Sequence, residues 1–288
     1  MPSEVPHRVA LDVIIVTHNS RRELPACLRS LQASTGIDAP TVIVVDNQST
    51  DGTAQLVATD WPSVTLIQPG SNLGFASGNN AGIRASSGEF LLLLNPDTAV
   101  TADAISRLVR ELKEHPEAAA VGPRLVDERG VAELSFGWTI SPFGEMQQKL
   151  TGALYRRSAP LVRQRVDRWL RTPGERKWIS GACLLARRRD LEAVGLFDER
   201  YFMYTEDVDL CVSLRRRGRT VRFVPDAKVV HYRGRSAGRN PKTESMRRRS
   251  QLAYYHKHHP RWAPLLSLYL RLTGKHPGRS AQDAPLLE

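Results

Sequence analysis

Apolar and polar positions alternate between two rhythms over the first hundred residues. Residues 9–16 form a β-branched apolar run that reads as a buried strand. Residues 22–32 place Leu24, Leu28 and Leu31 at helical spacing. Residues 41–45 give a second buried strand, and 53–57 open a helix with Ser49 or Thr50 as its expected cap. A short strand at 64–67, a helix at 76–85 and a strand at 89–94 complete the stretch. Strands alternating with helices predict an α/β fold with a mainly parallel sheet covered on both faces. Ligands of such sheets sit at the carboxyl ends of the strands. Three polar clusters fall there: Thr17-His18-Asn19, Asp46-Asn47-Gln48-Ser49 and Asn95-Pro96-Asp97.

The rhythm is less regular beyond residue 100. A helix is expected at 102–114, ending near His115-Pro116. Residues 138–176 carry many arginines and few strand signals, so a mobile or helical excursion is expected. A buried strand at 180–186 follows. A helix at 206–216 has acids at its start and arginines at its end, as the helix dipole favours. Two further strands are expected at 220–224 and 228–231. Residues 236–288 read as a basic, aromatic, helical tail broken by Pro260 and Pro264. The division is therefore 9–100, 101–235 and 236–288.

Composition narrows the class. The 288 residues are 41% hydrophobic and 25% charged, which excludes a disordered, collagenous or disulfide-scaffold chain. The longest aliphatic run, Phe90 to Leu94, is far below the roughly 20 residues of a membrane span. The start of the chain lacks the pattern of a secretory signal. Cys27, Cys183 and Cys211 are widely spaced, which favours a reducing, cytoplasmic setting and small buried apolar roles. The net charge of +11 is uneven. Residues 1–100 hold 5 basic and 9 acidic side chains, whereas residues 101–288 hold 36 and 21. That asymmetry suits an anionic partner for the second part, or a solvated basic surface.

No Gly-x-Gly-x-x-Gly follows the first strand, which argues against ordinary dinucleotide binding. The stretch 46–53 supplies turn and capping residues, or a carboxylate, Asp46, that accepts from a nucleobase or ribose. The Gly-rich run 72–80 is a tight turn, or a close backbone approach to phosphate at a helix start. Asp97 ends a fully buried strand, a poor place for stability and a suitable one for a divalent cation bridged to phosphates. Glu206, Asp207 and Asp209 complement a helix dipole, or supply a general base with a tuning neighbour. His231 ends a short strand and by itself is equally a structural histidine.

In their order, residues 12–19, 46–53, 72–80, 95–97, Glu206-Asp207 and His231 resemble the family 2 inverting glycosyltransferases. Asn72-Leu73-Gly74-Phe75, Asn95-Pro96-Asp97 and the stretch 202–210 are most similar to bacterial rhamnosyltransferases using dTDP-L-rhamnose. The resemblance covers about residues 9–235. It implies the GT-A fold, a Rossmann-like, mostly parallel mixed sheet flanked by helices. It implies that Thr17, Asn19, Asp46 and Asn72 line the nucleoside pocket, with Asn80 near the diphosphate. It implies that Asp97 and His231 hold Mg²⁺ or Mn²⁺ and that Asp207 is the base, with Glu206 beside it or on the acceptor. Asn95 stands where the family's metal motif usually has its first acid.

The implied acceptor is a polyprenyl-diphosphate-linked sugar or a polysaccharide in cell-envelope synthesis. An anionic membrane surface fits the second part's charge. Leu161, Val162, Val166, Trp169 and Leu170 share one helical face among Arg163, Arg165, Arg168 and Arg171, and Arg247-Arg248-Arg249 with Trp262, Leu265, Leu266 and Tyr269 add to the pattern. A helix packed on the core or on a second subunit gives the same pattern. Alternatives in function are a UDP-hexose or UDP-galactofuranose donor and a non-catalytic nucleotide-sugar binding module. A nucleic-acid-binding protein is the third class. The pI near 10.0 raises it, but no recognised motif supports specific nucleic-acid binding.

Overall fold

The apolar run at 90–94 becomes the middle of the molecule. In the computed structural model, which describes residues 10–137, 140–157, 160–232 and 241–278, this strand, β4 (Phe90–Leu94), is buried along its whole length. Around it lie β1 (Leu11–Thr17), β2 (Thr41–Asp46) and β3 (Thr65–Ile67), joined by α1 (Leu24–Gln32), α2 (Thr53–Asp60) and α3 (Gly74–Ala85). Every pairing among these four strands is parallel. Each runs into a helix or turn at its carboxyl end, so the loops after β1, β2 and β4 share one edge of the sheet.

The second part adds β5 (Thr98–Val100), α4 (Ala104–Glu114), β6 (Ala118–Val126), α5 (Pro142–Arg156), α6 (Pro160–Trp169) and β7 (Gly174–Glu175). It continues with β8 (Cys183–Arg187), α7 (Arg188–Ala193), α8 (Glu206–Arg216) and β9 (Thr220–His231). The single nine-stranded sheet runs β3-β2-β1-β4-β8-β6-β9-β5, with β7 on β9. β8 is antiparallel to both β4 and β6, so the sheet is mixed. Helices cover it, with apolar clusters on both faces.

The structure corrects several boundaries. The strand expected from residue 9 begins at Leu11, and Val9 lies outside the described residues. Neither Ser49 nor Thr50 caps α2: Gly52 takes the cap position with φ 85°, and Asp51 Oδ1 accepts the Thr53 N–H at 3.0 Å. The two strands expected at 220–224 and 228–231 are one strand, β9, with a register shift against β6. β6 itself was not expected, because Ala, Gly and Pro have little intrinsic strand preference and only its central, buried place makes it one.

The excursion expected within 138–176 is helical over α5 and α6 and ends in the short strand β7. Its apolar face points inward. Val166 and Leu170 are buried against Phe136, Ile179 and Phe223, and Trp169 packs edge-on to Phe136. Only Leu161 of that set is strongly exposed. The idea that α6 offers its apolar face to a membrane therefore fails, since the core already takes that face.

The tail forms α9 (Pro241–His258) and α10 (Ala263–Leu272). Residues 236–240 and 279–288 of the expected tail lie outside the described residues. Pro264 occupies the first turn of α10 and so starts that helix rather than breaking it. α9 is clasped to the body. Lys257 Nζ donates to Asp198 Oδ2 at 2.7 Å and to Asp209 Oδ2 at 2.8 Å, while His258 Nε2 lies 2.5 Å from Asp209 Oδ1. Ser250 Oγ donates to the Met203 carbonyl at 2.7 Å. Tyr254 and Tyr255 pack with Tyr201 and Val208 beneath the clasp. All three cysteines are buried and free.

Candidate active site

The parallel register sets Thr17 opposite Asp46, so the loops after β1 and β2 leave the sheet together. They are tied at once. The Asn47 N–H donates to the Thr17 carbonyl at 2.8 Å. Asn19 takes a left-handed backbone, φ 54°, and its Oδ1 accepts the Thr50 N–H at 2.7 Å. Asp46 Oδ2 accepts the Ser49 N–H at 3.0 Å. A third loop joins through Asn47, whose Nδ2 donates to the Gly74 carbonyl at 2.8 Å, and Asn72 Oδ1 accepts the Gly74 N–H at 3.0 Å. Gly74 has φ 77°, and a Cβ there would overlap the Phe202 carbonyl. Thr17, Asn19, Asp46 and Asn72 are thus brought to one rim.

Asn80 is not part of that rim. It is buried on α3, where Nδ2 donates to the Phe197 carbonyl at 2.9 Å and to Glu199 Oε1 at 2.8 Å. Its Oδ1 accepts the Phe197 N–H at 3.0 Å. The amide ties residues 197–199 to α3, away from the rim where Asn72 and Gly74 lie. Helical phase separates it from Asn72 and Gly74.

Asp97 and His231 meet although 134 positions separate them in the chain. β5 pairs antiparallel with β9, Thr98 opposite His231, and the Tyr232 N–H donates to the Asp97 carbonyl at 2.8 Å. His231 Nε2 lies 3.5 Å from Asp97 Oδ1, and Nδ1 lies 3.3 Å from Glu133 Oε2. Burial opposes a charge on the imidazole, but the two carboxylates outweigh it and lift its pKa to about 9. Sequence reading missed Glu133, which sits in irregular chain with no periodic signal.

Among the described residues no three His, Cys, Asp or Glu side chains converge as a ligand cluster. Asp97 Oδ1 is nevertheless buried with no hydrogen-bond donor. One carboxylate oxygen and one imidazole nitrogen suit a divalent cation whose other ligands are phosphate oxygens and water. The pair fits such an ion, provided His231 gives up its proton to ligate.

Glu206 and Asp207 open α8 directly after Tyr204 and Thr205, both left-handed at φ 71° and 75°. Such backbone costs about 1–3 kcal/mol per residue and persists only where its surroundings enforce it. Here Phe202 is held by Phe75, whose N–H donates to its carbonyl at 2.7 Å, and Met203 by Ser250. Asp207 keeps some exposed surface and accepts from the Gly181 N–H at 3.0 Å and the Val208 N–H at 2.8 Å. Glu206 is buried, and its Oε2 has no donor.

The two neighbours differ in consequence. Burial raises both carboxyl pKa values, and the Asp207 charge raises Glu206 further. Two backbone donors favour the ionised form of Asp207, so Glu206 is the one that holds a proton. Asp207 also lies close to the Asp97 region. The Asn95 N–H donates to the Ala182 carbonyl at 2.9 Å, and Gly181, one residue earlier, carries the N–H that Asp207 accepts.

Buried side-chain polar atoms without a partner concentrate at this edge. Of the twelve found among the described residues, six lie here: Thr17 Oγ1, Asp46 Oδ1, Asn47 Oδ1, Asn95 Oδ1, Asp97 Oδ1 and Glu206 Oε2. Folded proteins satisfy most such groups, so their clustering marks a site for a polar ligand.

Residues 12–194 match the model of glycosyl transferase family 2. The chain belongs to that family. It is 34% identical over 282 residues to an N-acetylglucosaminyl-diphospho-decaprenol L-rhamnosyltransferase of Mycobacterium tuberculosis, covering 93% of this chain and 85% of the relative. It is 23% identical over 227 residues to a rhamnosyltransferase of Escherichia coli, covering 76% of this chain and 82% of the relative. Among solved structures, a mannosyltransferase from Pyrobaculum calidifontis in complex with GDP-Man and Mn²⁺ superposes with TM-score 0.62 at 20% identity, over 93% of this chain and 70% of that one. The likeness establishes the GT-A fold. This family 2 glycosyltransferase therefore has its mixed sheet in the arrangement expected of its fold.

Proposed function

We propose that this glycosyltransferase moves L-rhamnose from dTDP-L-rhamnose to a hydroxyl of a polyprenyl-diphosphate-linked or polysaccharide acceptor during cell-envelope glycan synthesis. The observation that carries a polar-donor site is the cluster of six unpartnered buried atoms along the ends of β1, β2, β4 and the start of α8. The names of the two rhamnosyltransferase relatives support the sugar, and the decaprenol-linked substrate of the first supports the acceptor. In this reading Thr17 and Asp46 face the nucleoside, while Asn19 and Asn72 hold their loops in place. Asp97 and His231 would hold a divalent cation, Mg²⁺ or Mn²⁺, which would supply positive charge against the leaving diphosphate.

Asp207 does the proton chemistry. Its carboxylate takes the proton of the acceptor hydroxyl as that oxygen attacks the anomeric carbon. Glu206, held neutral, leaves Asp207 as the charged partner and adds no second nucleophile. One displacement with one base inverts the anomeric configuration, whereas retention by double displacement needs a second carboxylate on the sugar. The reading places the enzyme at the inner face of the plasma membrane.

A thermal-shift panel of dTDP-, UDP- and GDP-sugars, each with and without Mn²⁺, tests it. The expected result is a rise in melting temperature largest for dTDP-L-rhamnose with Mn²⁺, and loss of the Mn²⁺-dependent part in Asp97→Ala. A larger shift with a UDP-hexose or UDP-galactofuranose overturns the donor. A shift with no turnover of any donor returns the chain to a binding module.

A further inference from the structure

α10 has apolar residues all round, and the body takes only one side of it. Ala263 and Leu270 are buried. Leu265, Leu268, Tyr269 and Leu272, spaced i, i+3, i+4 and i+7, are each more than half exposed. At 100° per residue they form one continuous stripe turned away from the protein. Scattered exposed apolar side chains need no explanation, but an aligned row on one helix does. Exposed Arg261 and Arg271 stand at the start and on the flank of the helix, and exposed Lys275 follows it.

A second feature lies just ahead in the chain. A cavity of about 340 Å³ opens between α8 and α9, lined by Arg215, Arg216, Tyr254, His258 and His259. The guanidinium groups of Arg215 and Arg216 make no side-chain hydrogen bond or ion pair among the described residues. His258 is buried, and its Nδ1 has no partner while Nε2 is engaged by Asp209. The His259 carbonyl accepts the Trp262 N–H at 2.8 Å, so the end of this basic pocket is also the start of α10. No helix among the described residues is long and apolar enough to cross a membrane, so the stripe is not part of a span.

We infer that α10 lies in the surface of an anionic lipid bilayer, its Leu265-Leu268-Tyr269-Leu272 stripe among the acyl chains and the Arg215 and Arg216 side of the pocket holding a lipid phosphate. An apolar stripe with flanking cations suits an interfacial helix, and the pocket supplies the matching charge. A second copy of the chain would cover the stripe but leave the Arg215 and Arg216 side chains facing nothing of opposite sign.

The full chain is to be sedimented with vesicles of phosphatidylcholine alone and of two parts phosphatidylcholine to one part phosphatidylglycerol. The assay contains neither sugar nor nucleotide, so its outcome is independent of the transfer reaction. Binding is expected to favour the anionic vesicles and to fall at about 1 M salt, where charges are screened beyond roughly 3 Å. Leu265→Gln/Leu268→Gln/Leu272→Gln is expected to weaken partitioning about tenfold or more with an unchanged melting temperature, since all three residues are already exposed. Arg215→Gln/Arg216→Gln is expected to lose about fivefold per residue on anionic vesicles and nothing on neutral ones. Equal binding to both vesicle types by the wild type overturns the proposal. So does a wild-type dimer that the leucine variant dissociates while neither protein binds vesicles, which assigns the stripe to a second copy.

Discussion

Residues 11–94 and residues 98–231 build the two sides of one sheet by opposite rules. In the first, β1, β2 and β3 pair parallel through intervening helices, and the loops at their ends fasten to one another through Asn19, Asp46 and Asn47. In the second, β8 inserts antiparallel beside β4, and the groups that matter meet across long separations: Asp97 with His231, Asp207 with Gly181, Asp209 with Lys257 and His258. The rim at the ends of β1 and β2 therefore assembles from local structure. The Asp97, His231 and Asp207 groups come together only once the whole sheet is in place.

That contrast can be broken. Asp209→Ala removes the buried carboxylate that both Lys257 and His258 approach, and is expected to cost roughly 3–5 kcal/mol, the range for breaking a buried pair. Chemical denaturation checks it, and a loss below about 1 kcal/mol means that the tail is not structurally coupled to α8. Next is Asp207→Asn, which keeps size and backbone contacts but removes the base. Turnover is expected to fall about 10²-fold or more with donor affinity within about twofold. Near wild-type kcat takes Asp207 out of the mechanism.

Asn80→Ala sharpens the comparison from the donor side. It strips the Phe197 backbone and Glu199 of their partner and is expected to cost about 1–3 kcal/mol of stability. Donor Kd of the folded protein is expected to stay unchanged. An affinity loss without a stability loss puts Asn80 back at the diphosphate.

The smallest expected effect is that of Glu206→Gln. Burial and the Asp207 charge raise the Glu206 pKa in the folded protein, so the fold binds its proton more tightly than the unfolded chain does. That contribution is fully present below the unfolded value near about 4.3 and is lost as pH rises toward the folded value. The variant has no such loss. Its melting temperature relative to wild type is expected to climb between about pH 5 and pH 8. A constant difference across that range shows that Glu206 is not the proton holder.

Legibility in the sequence followed the same division. β1, β2 and β4 announce themselves because every residue in their centres is apolar, and a strand buried on both faces needs no alternation. The rim residues Thr17, Asn19, Asp46 and Asn72 could be found because they stand immediately after such strands or just before a helix. β6 could not be found, since Ala118–Val126 contains Gly122 and Pro123 and is a strand only because β8 and β9 flank it. Glu133 was hidden for a related reason: its side chain reaches His231 from a segment with no period of its own. α6 misled because a core-facing apolar stripe and a lipid-facing one have the same spacing. Only burial separates them, and it is the tail's α10, not α6, that keeps its stripe outside.

Gly181 links the two sides in a different way. A Cβ at this position would stand 3.3 Å from Asp207 Cβ and 3.3 Å from the Phe75 ring, tighter than ordinary packing allows. The gap between Asp207 and the first turn of α3 is therefore a few tenths of an ångström too narrow for a side chain on this one residue. A side chain at 181 carries a penalty, because it must shift either Asp207 or the Phe75 ring. New specificity in such an enzyme has to be written elsewhere, in segments that can change without moving the Asp207 carboxylate.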